Sequence, residues 1–430
     1  EICACLVGSE MCIRDSVRGV AQMEYIKREA ERKFREMSNF FKVVLVTGAR
    51  QVGKTTMLKK LADGTDRTYV SLDDIMAREL AQSDPALFFQ KYKSPVIIDE
   101  VQYAPQLFER IKVICDSSEE YGQFWLTGSQ QYDMMKNVRE TLAGRIGILS
   151  LYSLSQREKS GITFDEPLDF SFEELCKRQN KTNPNNISDV FEHIWRGGMP
   201  RVQQADEEMR QEYFNSYVDT YLMRDVAEAG GVTDSARFLK MLRTCAALTA
   251  EQVNYSNLAQ SADISEPTAK EWVRLLQGLG IIYLLHPYSN NELKRLTKTP
   301  KLYFCDTGLC AFLSMWLTKD TLMNGAASGH YYENYVVNEL IRSYAYGKKR
   351  SNLYYYRDSN AKEIDIIAEC DGKIHPLEVK KSANPDRKEV KKYELIDKAS
   401  LERSYGGIVC MCETPYPIDE LNSFIPSNLI

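Results

Sequence analysis

Residues 48–55 read GARQVGKT, the spacing G-x-x-x-x-G-K-T, directly after the apolar run KVVLVT and at the start of helical text. That order of strand, glycine loop and helix is what a phosphate-binding loop needs. Gly48 and Gly53 let the backbone of Ala49, Arg50, Gln51 and Val52 wrap an anion with its N–H groups turned inward. The helix N-terminus adds a favourable dipole. Lys54 would reach the β- and γ-phosphates of ATP, the Thr55 hydroxyl would bind Mg²⁺, and Thr56 is a candidate for the α-phosphate. The plainer alternative is a glycine turn ahead of an ordinary helix. A second segment agrees with the first: PVIIDE brings Asp99 and Glu100 to the carboxyl end of a buried strand, the edge at which open α/β sheets bind ligands. Asp99 would hold Mg²⁺ through water, and Glu100 would orient or deprotonate the attacking water. In QFWLTGS, Ser129 could point at the γ-phosphate, with Gln130 as its competitor. Arg145 in LAGRIG and Arg224 in YLMRD are candidate arginine fingers, weighed against ordinary structural arginines.

Another set of chemistry-bearing residues lies near the end of the chain. Asp365 sits in EIDII, and Glu378 and Lys380 in LEVK. Residues two apart on a strand share a face, so Glu378 and Lys380 point together. An Asp followed by Glu-x-Lys on the next strand resembles the PD-(D/E)xK nuclease pattern, in which two carboxylates hold Mg²⁺ and a lysine orients the nucleophile. Glu333 falls on the inward stripe marked by Val337, Leu340, Ile341 and Tyr344, where a carboxylate wants a metal or a cation. A solvated strand face or a simple Glu378–Lys380 ion pair would give the same letters.

The elements that must position these groups alternate. Strand-like runs at 42–47, TYVSLDD, PVIIDE, QFWLTGS and RIGILSLYSLS are separated by helical text, which implies a mostly parallel sheet covered on both faces. That first α/β domain spans residues 23–160, after a helix in MEYIKREAERKFREM. Residues 161–236 read as a helical lid or linker, with a polar loop over 176–188. Residues 237–310 follow winged-helix grammar: a helix capped by Ser265 and stopped at Gly280, then IIYLLHPY and KLYFCD flanking a basic hairpin tip. Lys270 and Arg274 on that helix, and Lys294, Arg295 and Lys298 on the wing, are candidate DNA contacts. Glu266 and Glu271 dilute that charge, and such modules also serve only as packing units. Residues 311–430 form a smaller α/β domain with strands LYYYRDS, EIDIIAEC, IHPLEVKK and GGIVCMC. Residues 1–22, which begin with glutamate and carry three cysteines without period, read as a non-native leader, with Met23 the expected start.

The order GARQVGKT, SLDD, IIDEVQ, LTGSQ, LAGR, GGMP, YLMRDV, PKLYFCDTGL, EIDII and LEVK resembles a family of bacterial and archaeal AAA-type ATPases over essentially all of the chain from Met23. The resemblance implies ATP binding, a P-loop core with an additional strand, and a C-terminal domain similar to the restriction-endonuclease superfamily. The leader has no counterpart in that family. The resemblance fixes no single biological role.

Bulk properties set the outer bounds. A chain of 430 residues is long enough for two to four domains. The formal net charge of −5 argues against a wholly nucleic-acid-coating protein but leaves room for a local basic face. The 11 cysteines contain no C-x-x-C pair and there are only 4 histidines, so neither a disulfide framework nor a zinc site is expected, and reduced thiols in a cytoplasm are the simple reading. No run approaches the ~18–20 apolar residues that span a bilayer. The expected partners are DNA, then a protein recruited by a nucleotide switch, and further copies of the chain.

Overall fold

The structure, a computed structural model, describes residues 25–128, 138, 140–184, 186–228, 232, 234–289, 295, 298–349, 351–358, 360–397 and 399–430. The leader, Met23, Ser129, Gln130 and Lys294 lie outside the described residues.

The amino-terminal domain is built on a five-stranded parallel sheet in the order β2-β3-β4-β1-β5. Its strands are β1 (Val43–Thr47), β2 (Thr68–Ser71), β3 (Val96–Asp99), β4 (Phe124–Gly128) and β5 (Ile146–Ser150). Every residue of β1 is buried. Val43 and Leu45 join one core and Val44 and Val46 the other, because alternate side chains leave a strand on opposite faces. This is why KVVLVT reads as an unbroken apolar run. β4 lies between β1 and β3, so the acid-bearing strand and the glycine-loop strand each border the same neighbour. This is the additional-strand arrangement of P-loop NTPases.

Elements after β5 fold back over this sheet. The helix Phe172–Gln179, capped by Ser171, shortens the expected loop at 176–188 from its front, because Leu175 and Arg178 are buried. Helices Ser235–Ala247, Tyr255–Ala262 and Glu266–Gly278 precede an antiparallel hairpin of β6 (Ile282–Leu285) and β7 (Lys301–Phe304). Ser265 caps the third helix as expected, accepting a hydrogen bond from Thr268 N–H. The long helix Ser328–Tyr346 leads into a mixed seven-stranded sheet. Its strands are β8 (Ser351–Arg357), β9 (Glu363–Cys370), β10 (Lys373–Lys380), β11 (Glu402–Arg403), β12 (Gly406–Cys410), β13 (Tyr416–Pro417) and β14 (Asn422–Pro426). One apolar core runs from Val44 through Trp195 and Trp272 to Tyr331 and Leu377, so the modules share a packed interior.

The opening helix is shorter than its periodicity predicts. It covers Ala30–Ser38, and residues 25–28 are in neither helix nor strand. The reason is Arg28, which is buried. Its Nη1 donates to Val52 O (2.8 Å), its Nη2 to Tyr152 O (2.7 Å) and its Nε to Glu158 Oε1 (3.0 Å). Glu158 also accepts from the N–H groups of Glu29 and Ser155. The eight described cysteines are all free, and no described helix is long and apolar enough to cross a membrane.

Removing one partner of a buried ion pair strands the other charge. Arg28→Met is expected to lower the stability of the amino-terminal domain by about 3–5 kcal/mol. The measurement is a urea midpoint followed by Trp125 fluorescence, and an unchanged midpoint would show that Arg28 is not a structural tie.

Candidate functional site

The glycine loop leaves β1 at Thr47 and enters the helix Lys54–Ala62. Gly48 has φ 146°, and a Cβ there would collide with Leu151 O just after β5, so only glycine fits. Gly53 is left-handed at φ 95° and caps the helix. Lys54 is buried and folded over the loop, its Nζ donating to Gly48 O and Ala49 O at 3.0 Å each. Val52 is buried while Gln51 and Thr56 are exposed, so the loop presents one face to Arg28 and the other outward.

Asp99 is the meeting point of this region. Its Oδ1 accepts from Thr55 Oγ1 at 2.7 Å and from Thr127 Oγ1, and its Oδ2 accepts from Tyr69 OH at 3.0 Å. Burial, with the Asp99 carboxylate second, pushes the Tyr69 phenol well above its ordinary pKa, so it stays a donor. Glu100 follows in a left-handed conformation (φ 56°, ψ 47°) that few non-glycine residues adopt. Its N–H donates to Thr127 Oγ1 (3.0 Å), and its Oε2 accepts from Gln102 Nε2 (2.5 Å). The structure therefore brings Lys54, Thr55, Asp99 and Glu100 to one sheet edge. A hydroxyl and a carboxylate in mutual contact below an ammonium are a donor set that suits Mg²⁺ beside a phosphate. Thr127 and Tyr69 had no role in the sequence reading. Their signal was position alone, at or near strand ends beside β3.

Arg145 is a correction. It precedes β5 and its carbonyl accepts from Val43 N–H, at the opposite edge of the sheet from the glycine loop. It pairs with Asp116 at 2.6 and 3.0 Å. A strand of this length sets it roughly 13 Å or more from its own glycine loop, so it is no finger for its own chain. Arg224 is exposed on the helix Met223–Glu228. The arginine missed from sequence is Arg201, in the turn Pro200–Gln204 that follows GGMP. It is exposed and lines a cleft of about 530 Å³ together with Gln51 of the loop and Tyr213, Tyr217 and Tyr221. Pro200 Cγ comes within 3.7 Å of the position a Cβ on Gly53 would take.

The second constellation also converges. β9 and β10 are antiparallel with Ile366 opposite Leu377, which sets Asp365 beside Glu378. Asp365 Oδ2 accepts from Val379 N–H at 2.9 Å. Glu378 is buried, and its Oε1 accepts from Lys380 (2.7 Å) and Lys392 (2.6 Å). Glu333 accepts from Tyr303 OH (2.6 Å) and Lys301 Nζ (2.9 Å), and Lys301 also meets Glu363 at 2.5 Å. Burial first, then the Asp365 charge, pushes Glu333 up to about 7 and Glu378 up to about 8. Among the described residues no group of three or more acids, histidines or cysteines is arranged to hold a metal, since the carboxylates are turned onto ammonium groups. The set is right in chemistry and wrong in present arrangement for a divalent ion. Lys301, Glu363 and Lys392 were missed from sequence. Only Glu363 carried a signal, two residues before Asp365 on the same strand face.

The expected basic contacts separate. Arg274 is exposed, and Lys270 pairs with Glu266 at 2.7 Å. Lys298 is exposed beside a cleft of about 850 Å³. Arg295 is a correction. It lies between the rings of Tyr288 and Tyr354, donates to Ser289 O and Tyr354 OH, and pairs with Glu369, so it fixes the hairpin to the C-terminal sheet instead of facing a groove.

Three family models match separate stretches of the chain, and their bounds differ from those expected, since one match runs across both ends of the segment 237–310. Residues 40–160 match the family model described as "AAA domain", residues 187–320 a domain of unknown function (DUF8612), and residues 328–430 a domain of unknown function (DUF4143). An uncharacterized protein of Mycobacterium tuberculosis is 26% identical over 407 residues, 94% of this chain and 84% of that protein. An uncharacterized protein of Haemophilus influenzae is 22% identical over 356 residues, 77% of this chain and 80% of that one. Among solved structures, the Walker-type ATPase of Pyrococcus abyssi has a TM-score of 0.42 at 15% identity, covering 68% of this chain and 97% of its own. The RuvB Holliday junction branch migration motor of Thermotoga maritima has a TM-score of 0.31 at 18% identity, covering 60% and 89%. With its sheet order, its glycine loop and the match over 40–160, the amino-terminal domain is an AAA-type P-loop ATPase domain.

The two raised carboxyl groups give a pH test. Unfolded, both titrate near 4.5; folded, near 7 and 8. Between those limits the folded chain binds more protons, so stability falls as pH rises and levels off above about 8. In metal-free buffer, thermal melts of wild type and Glu378→Gln from pH 5 to 8.5 should diverge, with wild type losing ground as pH rises. Parallel curves would refute the shift.

Proposed function

We propose that this chain hydrolyses ATP with Mg²⁺ at the glycine-loop edge and uses the nucleotide state to handle DNA through its C-terminal half. The observation that carries the first part is the Asp99 carboxylate in contact with Thr55 and Thr127 directly below the glycine loop. Lys54 and the loop N–H groups would hold the β- and γ-phosphates. Thr55 and Asp99 would hold Mg²⁺, which supplies charge neutralisation of the phosphates when bound. Glu100, held at the strand end by Thr127 and Gln102, is the group in reach to orient or deprotonate water. Arg201 is an exposed basic side chain lining a cleft with Gln51 of the loop, and it would take the phosphate-contacting role first considered for Arg145 and Arg224.

DNA handling draws its support from the exposed Lys270, Arg274 and Lys298 on a helix-and-hairpin module of winged-helix order. A nucleotide switch that recruits a protein, with the C-terminal domain catalytically silent, is the competing reading. A second reading is favoured by one observation: Glu333, Asp365, Glu378 and Lys380, residue types that a metal-dependent nuclease would use, lie near one another around the β9–β10 pair.

Lys54→Ala is expected to retain no ATP in a fluorescent-nucleotide titration. Glu100→Gln should keep ATP and lose turnover by about 100-fold or more, with Arg201→Ala shifting turnover in the same direction. Unimpaired hydrolysis by Glu100→Gln would remove the assigned base. A motor stops with Glu100→Gln, whereas a switch locks on, so a DNA-remodelling readout separates the two. In a salt titration of DNA binding, the double variant Lys270→Ala, Arg274→Ala should lower the log–log slope by about 2. A flat response in the wild type would point to a protein partner.

A further inference from the structure

We propose that Lys301 is an internal counter-ion that holds shut a divalent-cation site formed by Glu333, Glu363, Asp365 and Glu378. The inference rests on the second reading above, that this cluster exists to bind a metal. It adds what controls the site.

Lys301 does not belong to the domain it neutralises. It opens β7, within the segment matched over 187–320, while all four carboxylates lie within 328–430. Its ammonium is buried and bridges Glu333 and Glu363, with Asp365 close enough to favour its charge. Tyr303, from the same strand, donates to Glu333 as well. β7 thus supplies both donors to Glu333. The other two lysines, Lys380 and Lys392, converge on a single oxygen, Glu378 Oε1, and share Glu389. Glu378 Oε2 has no partner among the described residues, although Glu378 is 1% exposed. A buried carboxylate oxygen without a partner is costly. Glu378 itself stands beside Asp365 across the β9–β10 pair. Glu333, Glu363, Asp365, Glu378 and Glu389 face Lys301, Lys380, Lys392 and the Arg357 guanidinium on Glu363, five acids against four cations, so the cluster is short of positive charge even with Lys301 in place.

An all-oxygen donor set selects a hard cation such as Mg²⁺ or Mn²⁺. The Lys301 ammonium, lodged between Glu333 and Glu363, would compete with a divalent ion for those carboxylates. Withdrawing the β6–β7 hairpin would remove Lys301 and the Tyr303 hydroxyl together, freeing Glu333 to turn toward Asp365 and Glu378. Access of metal then depends on the position of a hairpin that is itself fixed to the C-terminal sheet through Arg295 and through Tyr288 N–H on Tyr355 O.

The test is Mn²⁺ titration of the full chain, stripped with EDTA and free of nucleotide, by calorimetry at pH 7.5. Lys301→Met should bind Mn²⁺ at least tenfold more tightly than wild type. The milder Lys301→Gln should do the same, and it serves if the methionine variant folds poorly. Lys301→Arg should show no gain. Lys349→Met, which removes a lysine paired elsewhere with Asp371, should match wild type. Adding Glu378→Gln to Lys301→Met should abolish the gain. Equal affinity in wild type and folded Lys301 variants overturns the proposal, as does a gain that survives Glu378→Gln or is matched by Lys349→Met. Plasmid cleavage is scored separately. Tight Mn²⁺ binding by Lys301→Met without cleavage supports the gated cation site and sinks the nuclease reading. Absence of any gain sinks the gated site whatever happens to DNA.

Discussion

One carboxylate, Asp99, is tied to three separate segments by hydrogen bonds: to the loop helix through Thr55, to β4 through Thr127 and to β2 through Tyr69. β4 separates β1 from β3, so the acid at the end of β3 meets Thr127 at the end of β4 as well as Thr55 of the loop helix. The placement is forced by sheet order and not by local sequence. A buried acid of this kind needs donors, and each donor it takes fixes one more wall of the phosphate cradle. Glu100, the next residue, is forced into a left-handed turn by the same crowding. The local strain sits where a reactive carboxylate has to leave the strand and face outward.

The glycine loop is held from behind as firmly as from below. Val52 O accepts from Arg28, and Arg28 is itself locked by Glu158, whose carboxylate closes a capping box with Ser155. Asp306 caps the helix Thr307–Leu313 and accepts from Gly198 N–H, which joins the GGMP turn carrying Arg201 to the start of the C-terminal half. Arg342 links Glu339 to Ser153 just beyond β5. These are buried, charge-assisted contacts in a low-dielectric setting, where each is stiffer than its surface equivalent.

Much of this was legible from residue order, because the signals were local. An apolar run, a glycine loop and a helix identify the phosphate cradle without any long-range information, and alternating text gives the parallel sheet. Asp365 and Glu-x-Lys were equally visible as strand neighbours. What escaped was set by packing between distant segments. Arg145 and Arg224 were candidates for their local motifs, yet Arg145 lies at the amino edge of the sheet with Asp116, and Arg201 borders the loop only because the GGMP turn folds across it. Arg295 read as a wing contact because it sits in a basic run, but two tyrosine rings and Glu369 take it inward. Lys301 gave no signal at all, since its partners lie 32 and 62 residues further along the chain.

The helix Ser328–Tyr346 connects the two constellations physically. At its far end Tyr346 OH accepts from Tyr152 N–H, the residue whose carbonyl accepts from Arg28. Near its start Glu333 accepts from Lys301. Thirteen residues at about 1.5 Å of rise each separate the two contacts by roughly 20 Å. Most of this helix is buried, so it can shift only as a body and not by bending. A change in the glycine loop that pulls on Arg28 therefore acts on the same rigid element that positions Glu333 against β7. Coupling of this kind needs two packings of nearly equal energy. The hairpin contact supplies the natural pivot, because Lys301 and Tyr303 of β7 hold Glu333 from outside its own domain, whereas Glu363 also meets Arg357.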